Sequence, residues 1–152
     1  MEEAALWFFD QGLNPISKPL TGNLEPDLLD PLSKPKLYIE AKRYKDKSGL
    51  GKAVSGVRQV ADTMQRLLPA PFNLTEAVLL VFREDGPLLV LPPVIMVGEW
   101  RLLTVVVDLS PGKSGSKQKS DPIEYKVADL IGLLGQSAKA KTTRHKKKSR
   151  KP

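Results

Sequence analysis

The clearest pattern of apolar and polar positions along the chain is helical and covers residues 52–68. Apolar side chains recur there every three or four residues, which places them on one face of a helix. They are Ala53, Val54, Val57, Val60, Ala61, Met64, Leu67 and Leu68. Pro69 and Pro71 end the pattern, because proline removes a backbone donor and clashes with the preceding turn. We therefore predict an amphipathic helix over residues 52–68, preceded by a polar loop at residues 45–51.

Shorter apolar runs predict strands on both sides of this helix. Before it, residues 24–29 and 36–42 flank the sequence DPLSKP, whose turn-forming residues are typical of an antiparallel hairpin. After it come four apolar runs, at residues 76–82, 88–91, 94–97 and 101–109. The chain thus predicts an α/β fold whose β-rich second half forms a meander or a mixed sheet.

The two ends of the chain have patterns of their own. Residues 3–11 predict a short helix that ends at Gly12. Residues 122–134 predict a final helix with Asp121 as its N-cap. Beyond Gly135 the composition becomes lysine-rich and of low complexity, which is typical of disorder. For a chain of 152 residues, this predicts one domain over 1–135 and a disordered basic tail over 136–152.

The net charge of +7 is concentrated in this tail. Eight lysines and arginines and no acidic residue lie between 139 and 152, whereas the rest of the chain holds 16 basic and 17 acidic residues. Such a cationic segment binds polyanions by simple electrostatics. Its candidate nucleic-acid-binding residues are Arg144, Lys146, Lys147 and Lys148. A solubility tail or a nuclear-import signal remains the alternative.

Composition removes several classes of chemistry. The chain has no cysteine, which excludes a disulfide scaffold, cysteine-ligated zinc, iron–sulfur clusters and a thiol nucleophile. The only histidine, His145, lies within the basic tail, so a histidine-based nuclease or a serine triad is poorly supported. No run of about 20 apolar residues is present, and the first residues are acidic where a signal peptide is basic. We expect a soluble protein, cytoplasmic or nucleoid-associated, or nuclear in a eukaryote.

Ionisable residues in the predicted hairpin are the main candidate for chemistry. Alternate side chains of a strand share a face, so Tyr38, Glu40 and Lys42 point the same way. The hairpin can place Asp27 opposite Glu40 or within one register step of it. Two carboxylates this close repel unless a cation neutralises them. Mg²⁺ suits the pair, because it takes oxygen ligands and needs only one or two protein carboxylates. Mn²⁺ is the alternative ion.

The same cluster contains the other parts of a hydrolytic site. The backbone carbonyl of Ala41 offers a further oxygen ligand. Lys42 would lie beside a metal-bound water, where it can orient that water, help to deprotonate it or stabilise charge on a phosphate. These are the parts needed for metal-assisted hydrolysis of a phosphodiester.

Pro26-Asp27 followed by Glu40-Ala41-Lys42 resembles the signature of the PD-(D/E)xK nuclease superfamily. The resemblance covers roughly residues 1–82. It implies a restriction-endonuclease-like fold, in which a mixed sheet is flanked by helices, here with a β-rich extension and the disordered basic tail. It also implies that Asp27 and Glu40 bind magnesium and that Lys42 assists the attacking water.

The resemblance extends to two further positions. Many relatives carry a glutamine on the following helix, and Gln59 lies at a similar place here. The tyrosine that often follows one turn later is replaced by Thr63. Many relatives also carry a glutamate on the first helix, a role that Glu2 or Glu3 would fill.

The sequence therefore predicts a metal-dependent nuclease that hydrolyses phosphodiester bonds in DNA, or less favourably in RNA, by either endonucleolytic or exonucleolytic attack. Arg43, Lys45 and Lys52 surround the predicted site and are expected to contact phosphates. A homodimer is compatible with cleavage of both strands. Three alternatives stay open: an edge hairpin with a solvated charged face, a non-catalytic nucleic-acid-binding protein on a nuclease-like fold, and a subunit that docks through its β-rich half.

Overall fold

The computed structural model describes residues 9–10, 16–17, 27–32, 36–110 and 121–132. Over these parts the chain forms one long helix and eight strands. They are β1 (Ile16–Ser17), β2 (Leu28–Asp30), β3 (Leu37–Tyr44), α1 (Lys47–Leu67), β4 (Glu76–Arg83), β5 (Leu89–Val90), β6 (Val94–Val97), β7 (Trp100–Asp108) and β8 (Ile123–Glu124). A short helical segment at 127–132 follows β8.

The strands form a mixed six-stranded sheet in the order β1-β2-β3-β4-β7-β6. The pairs β3–β4 and β4–β7 are parallel, and the other pairs are antiparallel. The predicted α/β class and the mixed sheet are confirmed. The β-rich half continues this same sheet beyond β4, and among the described residues β5 and β8 form a separate two-stranded pair.

Helix α1 joins β3 to its parallel neighbour β4 and packs against both strands. Its apolar stripe is buried, as predicted. The buried residues of the helix are Leu50, Ala53, Val54, Gly56, Val57, Val60, Ala61, Thr63, Met64 and Leu67. Burying a side chain the size of leucine or methionine contributes about 1.5–3 kcal/mol. This helix–sheet contact is therefore a major part of the core, and it holds the helix above β3.

The helix begins earlier than the sequence indicated. It starts at Lys47 because Asp46 acts as the N-cap, its Oδ1 accepting the Gly49 N–H at 2.9 Å. Hydrogen bonds from Ser48 and Gly49 also hold the pKa of Asp46 below its ordinary value. The prediction of a loop through residue 51 was wrong because its glycines were read as loop formers. Gly49 instead lets the helix approach Tyr44, whose Cβ would lie 2.9 Å from an added Cβ.

The predicted final helix over residues 122–134 is also corrected. Asp121 caps no helix, because β8 takes the next residues into a parallel pair with β5. The Tyr125 N–H then donates to the Val90 carbonyl at 3.0 Å. Of the described part of the predicted span, residues 122–132, only residues 127–132 are helical. Pairing with β5 outweighs the local capping signal, as tertiary contacts commonly do.

Other predictions concern residues that the structure describes only in part. Of the predicted helix at 3–11, only residues 9–10 are described, and they are helical. The tail over 136–152 lies outside the described residues. Among the helices that are described, none combines the length and the apolar character needed to cross a membrane.

Candidate functional site

The register of the first hairpin places Asp27 next to Glu40. Leu28 pairs with Ile39 in the antiparallel β2–β3 ladder, so the residue before β2 lies opposite Glu40. Oδ2 of Asp27 accepts the backbone N–H of Ala41 at 2.9 Å. The predicted hairpin is therefore confirmed, and of the two predicted placements the register gives Asp27 directly opposite Glu40, on the same face of the sheet.

The backbone of Ala41 also faces Asp27. The N–H and C=O groups of a strand residue point the same way within the sheet. Because the N–H of Ala41 donates to Asp27, its carbonyl oxygen lies on the same side of β3. This carbonyl, which the sequence offered as a further oxygen ligand, therefore lies on the β2 side of β3, the side of Asp27.

Glu40 is a buried carboxylate with two engaged oxygens. Only 1% of the residue is exposed. Its Oε2 accepts the hydroxyl of Tyr38 at 2.5 Å, and its Oε1 accepts the ammonium of Lys42. The alternative of a solvated charged face is therefore contradicted at Glu40. Burial, and next the charge of Glu40, raise the pKa of Tyr38 far above its ordinary value, so the phenol stays a hydrogen-bond donor.

Lys42 connects the strand to the helix. Its Nζ donates to Oε1 of Glu40 and, at 2.8 Å, to Oε1 of Gln59 on α1. Its side chain is 21% exposed, so the amine lies at the boundary between the core and solvent. The aliphatic stem passes under Gly56, where an added Cβ would lie 2.9 Å from Cγ of Lys42. The structure thus brings Asp27, Glu40, Lys42 and Gln59 together from β2, β3 and α1.

The sequence analysis assigned no role to the hydroxyl of Tyr38. Its side chain is fully buried and donates to Oε2 of Glu40, and Thr63 on α1 opposes the rise in the pKa of Tyr38. A signal for it was present, since Tyr38 stands two residues before Glu40 on the same face of the strand. Gly56 was missed as well, although a glycine inside an apolar helical stripe often marks a close approach between elements.

The donor set fits a small divalent cation. No cluster of three or more Asp, Glu, His or Cys side chains suited to a metal occurs within the described part of the chain. Mg²⁺ does not require one, because one or two carboxylates, water and a substrate phosphate complete its octahedron. Asp27, Glu40 and the Ala41 carbonyl supply oxygens only, which is the ligand type that Mg²⁺ prefers. Glu2 and Glu3, the predicted additional acids, lie outside the described residues.

The three basic residues predicted near the site lie in different surroundings. Arg43 and Lys45 are exposed and both pair with Glu84, the lysine at 3.0 Å. Hydrogen bonds from Lys45 and Arg43 lower the pKa of Glu84. Arg43 follows Lys42 on β3 and so points to the opposite face of the sheet. Lys52 is exposed on α1. Phosphate contact by these three residues stays a prediction.

The predicted nucleic-acid-binding residues of the tail, Arg144, Lys146, Lys147 and Lys148, lie outside the described residues. Comparison of the chain with known protein families, curated proteins and solved structures returned no match. The assignment of a function therefore depends on the geometry and chemistry of this site.

Proposed function

We propose that the protein is a metal-dependent nuclease of the PD-(D/E)xK type, with a restriction-endonuclease-like fold. One observation carries the proposal: Asp27, Glu40, Lys42 and Gln59, which come from three separate elements, converge on one face of the sheet. A buried carboxylate, a second carboxylate opposite it and a lysine that bridges to the helix form the minimum set for metal-assisted phosphodiester hydrolysis.

The arrangement of elements around these residues supports the proposal. An antiparallel hairpin, a long helix and a parallel strand follow one another as β2, β3, α1 and β4. The apolar patterns of residues 24–82 predict a hairpin, a helix and a strand in this same order. The site lies at the β2 end of the sheet, where the helix covers β3 but the amine of Lys42 retains solvent contact.

Each residue has a role that follows from its surroundings. Asp27 and Glu40 hold the ion, and when bound it would polarise the phosphate and lower the pKa of a water ligand. Lys42 has a partly exposed amine held by two acceptors, which suits it to orient the attacking water or to stabilise charge on a phosphate oxygen. Gln59 keeps that amine directed into the site. The water oxygen then bonds to phosphorus while the proton of that water passes to solvent, and the bond from phosphorus to the leaving oxygen breaks as that oxygen takes up a proton.

Nucleic acid is the substrate class that fits the rest of the chain, and DNA is the first choice. Eight positive charges in the C-terminal residues 139–152 add affinity for phosphates without reading sequence. Binding that depends on such contacts weakens steeply as the salt concentration rises. We expect this segment to raise the local concentration of substrate around the rest of the chain, whose 16 basic and 17 acidic residues nearly cancel.

The proposal is tested by incubating the purified protein with supercoiled plasmid and with single-stranded DNA. We expect cleavage with Mg²⁺ or Mn²⁺ and none with excess EDTA. RNA of matched length is the comparison substrate. DNA binding without cleavage under any of these metal conditions would contradict the proposal and favour the non-catalytic alternative.

A further inference from the structure

We propose that Tyr38 makes the site selective for small octahedral cations, because its hydroxyl occupies one of the two carboxylate oxygens of Glu40. The inference concerns the metal preference of the proposed site and rests on the proposed function. It assigns to Tyr38 a positioning role: the phenol acts through Glu40 and decides how many oxygens that carboxylate offers to an ion.

Both carboxylates of the site have one oxygen engaged by a donor that is fixed in the fold. Oε2 of Glu40 accepts the Tyr38 hydroxyl at 2.5 Å. Oδ2 of Asp27 accepts the backbone N–H of Ala41 at 2.9 Å. Each of these oxygens has one of its two lone-pair directions taken by a fixed donor, which disfavours binding of an ion through both oxygens of the same carboxylate.

The two donors that contact Glu40 differ in their freedom to move. Lys42 is 21% exposed and has Gln59 as a second acceptor, so its ammonium can leave Oε1 to an incoming cation. Tyr38 is fully buried and its hydroxyl donates to Oε2 of Glu40. A buried donor that loses its acceptor is costly, because it has given up its hydrogen bonds to water and gains none in the protein. The oxygen that Glu40 releases is therefore Oε1, and Oε2 stays with Tyr38.

Binding through single oxygens discriminates between cations of different size. Mg²⁺ demands a near-ideal octahedron and takes few protein carboxylates, whereas Ca²⁺ takes six to eight oxygens and often binds a carboxylate through both of them. With Oε2 held by Tyr38, Glu40 offers one oxygen to an ion, which disfavours the larger coordination shell of Ca²⁺. Removing the Tyr38 hydroxyl would free Oε2, and Glu40 could then bind through both oxygens.

The test compares calorimetric titrations of MnCl₂ and CaCl₂ into wild-type protein and into Tyr38→Phe, without substrate. Phenylalanine keeps the ring and removes only the hydroxyl. We expect the ratio of the Ca²⁺ dissociation constant to the Mn²⁺ dissociation constant to fall by about tenfold, the lower end of effects seen when outer-shell partners are removed. A merely structural loss would weaken both ions alike and leave this ratio unchanged.

Tyr44→Phe is the matched control. Tyr44 is a buried tyrosine on the same strand, and its hydroxyl donates to the Pro87 carbonyl at 2.7 Å and not to a carboxylate of the site. Its loss should leave the ratio unchanged. If Tyr38→Phe does not fold, Thr63→Val is used, and the ratio should fall in the same direction, because Thr63 acts on the Tyr38 phenol.

The outcomes separate this inference from the proposed function. Binding of Mn²⁺ by wild type together with an unchanged ratio in the Tyr38 or Thr63 variant overturns the role of Tyr38 and leaves the nuclease proposal intact. A wild type that binds neither ion, and that cleaves no DNA, overturns both.

Discussion

Replacing Lys42 with methionine should abolish DNA cleavage while leaving metal binding as tight as in the wild type, or tighter. The substitution keeps the stem that packs beneath Gly56 but removes the ammonium that shares Oε1 of Glu40. Without this competing cation, the oxygen is open to a metal ion. Cleavage should fall about 10²–10⁴-fold, the usual contribution of a group that handles the proton or orients the water.

The carboxylates should behave differently. Asp27→Asn and Glu40→Gln each keep the shape of the side chain but remove a negative charge from the ion. We expect both metal binding and cleavage to be lost, by more than about 100-fold, because even outer-shell partners contribute 10–100-fold. The Asp27 and Glu40 variants should thus lose both metal binding and cleavage, whereas the Lys42 variant should lose cleavage alone. General unfolding does not produce this difference.

Thermal melting with and without Mn²⁺ provides the physical check. Lys42→Met leaves Glu40 as a buried carboxylate without its amine, which should cost about 3 kcal/mol in the metal-free protein. Mn²⁺ at 100 times its dissociation constant would raise the free energy of unfolding by about 2.7 kcal/mol. Mn²⁺ should therefore raise the melting temperature of Lys42→Met more than that of Asp27→Asn. Full cleavage by Lys42→Met, or equal loss of metal binding in all three variants, would contradict the roles assigned here.

The second large effect is expected at Gly56, which touches no substrate. A Cβ on this residue would lie 2.9 Å from both Cδ1 of Leu79 and Cγ of Lys42. Gly56→Val should therefore push the helix off β3 and displace the lysine stem. We expect a loss of about 1–3 kcal/mol in the free energy of unfolding, the usual cost of overpacking. Cleavage should fall about 100-fold, since a shift near 1 Å in a catalytic group has that effect.

Gly51→Ala is the matched control on the same helix. An added Cβ there meets no atom within 4 Å. Exchange of a helical glycine for alanine should raise the free energy of unfolding by about 0.5–1 kcal/mol and leave cleavage unchanged. Urea unfolding and plasmid cleavage measure the two quantities. Wild-type cleavage by a stably folded Gly56→Val would show that the contact between the helix and Lys42 does not position the amine.

The main elements of the fold could be predicted because they depend on local patterns. The alternation in residues 37–42 and the turn before it predict a hairpin that brings Asp27 opposite Glu40 or within one register step of it. The structure has the first of these two placements. The apolar stripe of α1 likewise predicts which of its faces is buried. Strand periodicity also assigns Tyr38, Glu40 and Lys42 to one face, which is the face that α1 covers.

The features that could not be predicted depend on contacts between elements that are far apart in the sequence. The burial of Glu40 follows from the position of α1 over β3, and nothing in the strand itself indicates it. The bond from Lys42 to Gln59 spans 17 residues and needs the helix at one particular rotation. The helix expected at 122–134 gave way to β8 because β5 supplied a pairing partner. In each case a long-range contact decided between local alternatives.

A crystal structure of the wild-type protein grown with MnCl₂ tests the central claim most directly. The claim is that Asp27 and Glu40 share one divalent ion beside the amine of Lys42. We predict an anomalous difference peak about 2.1 Å from one oxygen of each carboxylate, with Lys42 moved off Glu40 and Tyr38 still bonded to it. The absence of a peak there at saturating Mn²⁺, with Glu40 still held by both Tyr38 and Lys42, would contradict the account.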